Sequence, residues 1–168
     1  MSISTQHGGA MMKAKIFPTT LFLILSLLGL GQISCSQSSS LLFPINQNGR
    51  WGYLDEQKRT AINPQFEYAG FFHEGLARVK IGGKYGYIDK NGTYVINPQF
   101  DGAHFFHDGL AGVKVGKKWG YVDKRGNIVI KPQFDDAGFF DEGVARVKTG
   151  NRYGYIDKKG TYVWKPVN

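Results

Sequence analysis

The feature that most constrains this chain is an internal repeat with a period of 34 residues. A motif of the form aromatic-Gly-Tyr-aliphatic-Asp begins at Trp51 and returns at Tyr85, Trp119 and Tyr153, so the step is 34 each time. Pro-Gln-Phe and Phe-Phe segments return with the same step. A fixed period of this kind indicates repeated supersecondary units that bury a common core by stacking on their neighbours.

Breaker residues decide which secondary structure the repeat forms, because a 34-residue period also suits paired helices. The first copy has Gly52, Pro64, Gly70 and Gly75, and a helix pair does not tolerate so many breakers. Residues 77–81 alternate apolar and charged side chains, as a half-buried strand does. The pattern therefore predicts strands.

We predict a meander of three antiparallel strands in each copy, joined by short turns that contain glycine. Pro98 is predicted to end the third strand, because proline has no N–H to donate. For residues 100–109 two readings stay open, one helical turn or a short fourth strand. The predicted fold class is all-β, a solenoid of short antiparallel meanders, with a propeller-like open arrangement as the alternative.

The N-terminal part differs in kind from the repeats. Lys13 and Lys15 precede an apolar run over residues 16–31, followed by small residues, and this order is typical of a secretory signal peptide. The run is short for a membrane span, which takes about 20 apolar residues. We expect three parts, namely a signal peptide, a Ser/Gln-rich tether and a repeat domain of three full units with a terminal partial unit. Their ranges are 1–35, 36–47 and 48–168.

The single cysteine, Cys35, directly follows the apolar segment. A lone cysteine in an exported chain cannot form an internal disulfide, and its position resembles that of the lipidated cysteine of bacterial lipoproteins. Two outcomes stay open, a lipid anchor at Cys35 or ordinary cleavage and secretion. In both, the chain leaves the cytoplasm, and it contacts a membrane only in the first outcome, through the lipid anchor.

Charge and candidate catalytic residues exclude several classes of function. The net charge is +8, but its signs alternate along the repeats without a block of like charges, which argues against nucleic-acid binding. His73, His104 and His107 do not recur in every copy, and a zinc site needs three or four fixed ligands although the chain has one cysteine. No nucleophile-base set or phosphate loop is present. We therefore predict no enzyme activity, no cofactor and no metal.

Two of the recurring positions of the motif carry candidate site residues. The aromatic residue that opens the motif predicts a stacked core, and an exposed ladder that contacts sugar rings is the alternative. The aspartate that closes it predicts a turn, in which a carboxylate accepts backbone N–H groups, because calcium would need six to eight oxygens from several nearby carboxylates. The aromatic residues are Trp51, Tyr85, Trp119 and Tyr153, and the turn aspartates are Asp55, Asp89, Asp123 and Asp157.

On these landmarks, residues 48–168 resemble the WG-repeat (KWG-repeat) family of bacterial proteins, with Tyr replacing the Trp in two of four copies. The resemblance implies a β-type repeat of surface and secreted proteins and no established activity. We expect a non-catalytic binding module outside the cytoplasmic membrane whose partner is an unidentified protein. The alternative is a protein that binds cell-wall or other cell-envelope glycans through the aromatic ladder.

Overall fold

The computed structural model describes residues 41–165, and these residues form four antiparallel β-sheets without a helix. The predicted all-β repeat of meanders is confirmed. The first sheet contains β1 (Phe43–Gln47), β2 (Arg50–Leu54) and β3 (Thr60–Phe66). The second contains β4 (Tyr68–His73), β5 (Leu76–Ile81), β6 (Lys84–Ile88) and β7 (Tyr94–Phe100). The third contains β8 (Gly102–Ala103), β9 (Leu110–Val115), β10 (Lys118–Asp123) and β11 (Ile128–Phe134). The fourth contains β12 (Asp136–Asp141), β13 (Val144–Thr149), β14 (Arg152–Asp157) and β15 (Tyr162–Trp164).

The start of the first sheet corrects one predicted boundary. β1 lies inside the segment 36–47 that we assigned to a tether, and it pairs with β2 through Asn48 and Gly49. Both turn residues have positive φ, 51° and 79°, as a two-residue Asn-Gly hairpin requires. The predicted signal peptide, Cys35 and residues 36–40 of the predicted tether lie outside the described residues, whereas Leu42 packs in the core.

The number of strands per unit differs from the prediction of three. The second, third and fourth sheets each have four strands, because a strand follows directly after the Pro-Gln-Phe segment. In the third sheet this extra strand is β8, so the stretch after Phe100 begins as a short strand. Each of these three sheets therefore starts about 17 residues after the start of an aromatic-Gly-Tyr motif, as Tyr68 does after Trp51.

Proline does not end the last strand of a unit, which corrects a second prediction. Pro98 lies within β7, where the pairing shifts from Tyr85↔Phe100 to Tyr87↔Ile96. The partner strand has Gly86 at this irregularity, and a Cβ there would lie 2.6 Å from the Ile96 carbonyl oxygen. The glycine thus allows the bulge that accommodates the proline.

Consecutive sheets pack face to face, and each of the three interfaces between them contains one apolar cluster. We call the face that packs on the following sheet the front face, and the opposite one the back face. In the second sheet the front face includes Tyr87, Ile96 and Phe100, which pack against the back face of the third sheet. That back face contributes Ala103, Phe106, Ala111, Val113 and Val122. The same arrangement joins the first sheet to the second and the third to the fourth.

Candidate interaction surfaces

The aromatic residue that opens each motif is half-buried at the edge of a front face, except Tyr153, which is 42% exposed. Cross-strand pairing brings a lysine of the preceding strand over three of these rings. Their ammonium groups lie 5.4–5.9 Å from the ring centroids of Tyr85, Trp119 and Tyr153, and belong to Lys80, Lys114 and Lys148. These cation–π contacts occupy one face of each ring.

The tyrosine two residues further along the motif is the central side chain of each interface. Tyr53, Tyr87 and Tyr121 are fully buried, and their rings lie 4.7–5.0 Å from a phenylalanine of the next sheet. Their hydroxyl groups donate to main-chain carbonyls of that sheet at 2.7–2.8 Å. Burial raises the pKa of each hydroxyl, so the groups remain neutral donors.

The motif aspartates lie at turns, and their carboxylates accept backbone N–H groups. One oxygen of Asp89 accepts from Asn91 and Thr93, both at 2.9 Å. Asp123 and Asp157 accept at the corresponding positions, and Asp55 accepts from Arg59. Within residues 41–165 no group of three or more His, Cys, Asp or Glu side chains is placed to hold a metal ion.

In the third sheet, a histidine ring occupies the space that an arginine side chain occupies in the second and fourth sheets. His104 stands where the second and fourth sheets have glycine, and its ring stacks on Trp119 at 4.5 Å between centroids. Gly112 stands where those sheets have Arg78 and Arg146, and a Cβ at this glycine would lie 2.8 Å from the His104 ring. Burial lowers the pKa of His104, and its Nε2 has no hydrogen-bond partner among the described residues. The geometry is that of a packing residue.

Sequence reasoning missed a row of rings that crosses the turns between the first two strands of the second, third and fourth sheets. We call it the aromatic stripe, and it comprises Phe71, His73, Phe105, His107 and Phe139. The Phe105 ring lies 4.4 Å from His73 and 5.5 Å from Phe139. His107 contacts Phe139 at 5.4 Å, and its Nδ1 donates to the Phe140 carbonyl at 2.7 Å.

The stripe is partly exposed, because His73, Phe105 and His107 are half-buried and the two outer phenylalanines are exposed. Phe71 is 61% exposed and Phe139 48%, whereas the next residue of each Phe-Phe pair faces the core. Beside Phe71 lies a hollow of about 220 Å³, which Leu41 and Phe43 also line. The sequence signal was the Phe-Phe pair at each step, since adjacent strand residues point to opposite faces and the two rings of a pair therefore have different surroundings.

Acidic side chains join consecutive sheets beside these rings. Asp108 accepts the Gly143 N–H at 2.7 Å and lies 2.7 Å from the Lys158 ammonium. Glu74 makes the equivalent contacts with Gly109 and Lys124. The Lys158 hydrogen bond is the main reason why the pKa of Asp108 lies below its usual value. We call each of these carboxylates, together with the lysine and the glycine N–H that it contacts, an ionic staple.

These features define a class of protein, a β-meander repeat protein whose sheets stack front to back. A family model described as "WG containing repeat" matches three consecutive segments, residues 51–85, 85–119 and 119–153. The chain belongs to the WG-repeat family. Comparison with curated proteins gives no match. No helix among the described residues has the length and apolar character needed to cross a membrane.

Proposed function

We propose that this chain is a non-catalytic interaction module that binds a protein partner through the aromatic stripe. The observation that carries the proposal is the exposure of Phe71 and Phe139, the latter in contact with the rings of Phe105 and His107. Exposed apolar patches with a polar rim are typical of binding surfaces. Here the rim consists of the ionic staples, among them Glu74 with Lys124 and Asp108 with Lys158.

Repetition explains why such a surface suits an extended partner. The 34-residue step places the same phenylalanine on three successive sheets, and packing against the neighbouring rings fixes the orientation of Phe105. A peptide segment with apolar side chains at regular spacing then finds equivalent contacts along the row. Rigid aromatic side chains lose little conformational entropy on binding, which favours them as anchors.

The test is selection of ligands from a phage-displayed peptide library with residues 36–168, followed by titration of the selected peptides. We expect the double substitution Phe71→Ser and Phe139→Ser to weaken binding at least tenfold. The matched control is Val95→Ser with Val129→Ser, which removes exposed apolar side chains from the last strands of two sheets. If the control weakens binding as much as the stripe variant does, the proposal is wrong.

A glycan ligand is the second candidate, and the exposure of Tyr153 favours it. Tyr153 borders a hollow of about 330 Å³ that Arg152 and Tyr162 also line. An exposed ring beside hydrogen-bonding groups is suited to a sugar. Glycan arrays and peptidoglycan pull-down with Tyr153→Ala and Trp119→Ala test it, provided that both variants remain folded. Unchanged binding in both would exclude a role for the motif aromatics.

Export and lipidation are proposed on the sequence alone. We expect the module to act outside the cytoplasmic membrane, either secreted or anchored through a lipid on Cys35. Labelling cells with a fatty-acid probe distinguishes these outcomes. Incorporation in the parent and none in Cys35→Ser would establish the anchor, and no incorporation in either would favour secretion.

A further inference from the structure

The turns at one end of the strands are strongly basic. They join β1 to β2, β5 to β6, β9 to β10 and β13 to β14, and we call this end of the stack the hairpin end. The central residues of the turns are Asn48-Gly49, Gly82-Gly83, Gly116-Lys117 and Gly150-Asn151. The turns and the two residues on either side contain no acid and eight cations, namely Arg50, Lys80, Lys84, Lys114, Lys117, Lys118, Lys148 and Arg152.

Four carboxylates beside these turns offset half of this charge. Asp101 accepts the Gly116 N–H at 2.7 Å and pairs with Lys84. Asp135 makes the equivalent contacts one sheet further on, and Glu67 accepts an N–H of the second sheet's turn. The fourth carboxylate, Asp136, lies at the start of β12. The hairpin end therefore keeps an excess of four positive charges.

The other end of the strands, which carries the aromatic stripe, has the opposite balance. We call it the stripe end, and it lies one strand length of about 20 Å away, since β5 joins the two ends. Its turns contain nine acids and seven cations, and are residues 55–59, 73–76, 89–93, 107–110, 123–127, 141–144 and 157–161. The charges that alternate along the sequence are thus separated in space, because the chain passes back and forth between the ends.

Aromatic rings hold one lysine of each basic turn in place. Lys80 pairs with Tyr85 across the hairpin, and its ammonium lies 5.4 Å from the ring centroid. Lys114 and Lys148 make the same contact in the third and fourth sheets. A side chain that is already ordered loses less conformational entropy when it binds a ligand. The same ordered cation therefore recurs from sheet to sheet, and stacked sheets lie about 10 Å apart.

The spacing and surroundings of these cations favour one class of polyanion. The phosphates of a nucleic acid strand follow each other at about 3.4 Å, a much finer step than that of the sheets. Bases also need free rings on which to stack, whereas lysines cover one face of the rings here. A membrane surface binds side chains such as Trp, Phe and Leu, but the centres of the four turns are glycine, asparagine and lysine. An acidic polysaccharide separates its charged groups by one or more sugar units, which suits the wider step.

We infer that the hairpin end binds a linear acidic polysaccharide, which lies along the stack and places carboxylate or sulfate groups against the lysines of successive sheets. The inference goes beyond the proposed protein partner, because the surface lies at the opposite end of the strands from the aromatic stripe. It shares a ligand class with the glycan candidate, but it depends on the charge of the ligand and not on the exposed ring of Tyr153.

The first test titrates the full chain with three polymers of one backbone, namely dextran, carboxymethyl dextran and dextran sulfate. We expect an acidic polymer to bind, with an affinity that falls as the salt concentration rises, and we expect neutral dextran not to bind. Binding of either acidic polymer supports the inference and identifies the preferred acidic group. Double-stranded DNA and phosphatidylglycerol vesicles are the competing probes. Failure of both acidic polymers, or equal or tighter binding of a competing probe, would overturn the inference.

The second test locates the binding surface with two triple variants that remove the same net charge. The hairpin-end variant combines Lys80→Gln, Lys114→Gln and Lys117→Gln. The control at the stripe end combines Lys58→Gln, Arg125→Gln and Lys159→Gln. We expect the first variant to weaken binding of the acidic polymer at least about tenfold, and the control to weaken it much less. Equal weakening would assign the binding to net charge and would contradict the inference.

A single substitution repeats the comparison without touching a ring contact. Lys117 is exposed and makes no ion pair among the described residues, so Lys117→Glu leaves the packing intact. We expect it to weaken binding more than Lys159→Glu does, and an equal effect of the two would count against the hairpin end. Phe71→Ser with Phe139→Ser should bind the polymer as the parent does. This inference and the proposed protein partner therefore fail independently.

Discussion

Tyr121 and Tyr155 occupy the same position of the repeat and have opposite environments. Tyr121 is fully buried between the third and fourth sheets, with its ring on Phe140 and its hydroxyl on a carbonyl. Tyr155 is 42% exposed on the fourth sheet, and its ring lies 6.1 Å from that of Trp164. The motif tyrosine is therefore buried where a following sheet packs on it and exposed on the fourth sheet.

The largest expected effect is that of removing the buried tyrosine. Tyr121→Ala should lower the free energy of unfolding by roughly 3–5 kcal/mol, because it leaves a cavity and an unpaired carbonyl. Tyr155→Ala should lower it by about 0.5 kcal/mol or less, as for other exposed side chains. Urea denaturation followed by circular dichroism measures both. Similar losses in the two variants would show that the fourth sheet's front face is already covered.

Substitution of the motif glycines should also destabilise the third sheet more than the fourth, but the difference in stability loss should be smaller than for the tyrosines. A Cβ on Gly120 would lie 2.4 Å from the Ile130 carbonyl oxygen, so the backbone must move. Gly120→Ala should therefore cost about 1–3 kcal/mol. In Gly154→Ala the closest atoms are a ring carbon of Tyr162 at 2.7 Å and the Trp164 carbonyl oxygen at 3.0 Å, so the backbone is approached less closely and we expect a smaller loss. A larger loss in Gly154→Ala would contradict this account of the bulge.

Substitution of the turn aspartates should destabilise the third and fourth sheets to a similar extent, because the hydrogen bonds of these carboxylates lie within their own turns. Asp123→Ala should cost about 1 kcal/mol, since two backbone N–H groups lose a charged acceptor. Asp157→Ala should cost nearly as much, because its carboxylate makes the equivalent backbone bonds and lacks only the bond that Asn127 Nδ2 donates to Asp123. Thermal unfolding of both variants against the parent is sufficient. A much larger loss in one of them would indicate that its carboxylate has a role beyond the turn.

Breaking an ionic staple should have the smallest effect on stability, and this effect should depend on pH. The folded-state pKa of Asp108 lies below its unfolded value of about 3.9, first because of its hydrogen bond with Lys158. Its stabilisation is therefore complete above the unfolded pKa and is lost as the pH falls through the folded one. Lys158→Met should lower the melting temperature slightly at pH 7, and by less at pH 2.5 or in 1 M salt.

The control for this substitution is Lys159→Met, which removes an exposed lysine outside the ion pairs of the described residues. We expect it to leave both the melting temperature and its pH dependence unchanged. A fall in Lys159→Met equal to that in Lys158→Met would assign the effect to net charge and not to the staple.

Much of the fold was predictable, because the repeat places breakers and strand residues at fixed steps. Two details were not. Pro98 was expected to end a strand, but Gly86 opposite it permits a bulge and the strand continues to Phe100. β1 was assigned to a tether, although Asn48-Gly49 is a strong hairpin signal.

The candidate sites were less predictable than the fold. The motif aromatics are easily recognised, yet lysines cover one face of three of them, and Trp51, Tyr85 and Trp119 are half-buried. Which residue of each Phe-Phe pair faces outward depends on a register shift in the first strand, as between Ala69 and Phe72 in β4. Such a shift results from packing, and the spacing of residues does not reveal it.

The sequence by itself determined the all-β class, the 34-residue period and the turn positions, because these depend on backbone preferences within a few residues. Only the tertiary structure decided which rings are buried, where the aromatic stripe runs and which face is left open. The physical reason is that burial depends on the presence of a neighbouring sheet. Tyr121 and Tyr155 have the same local motif and differ only in what packs against them.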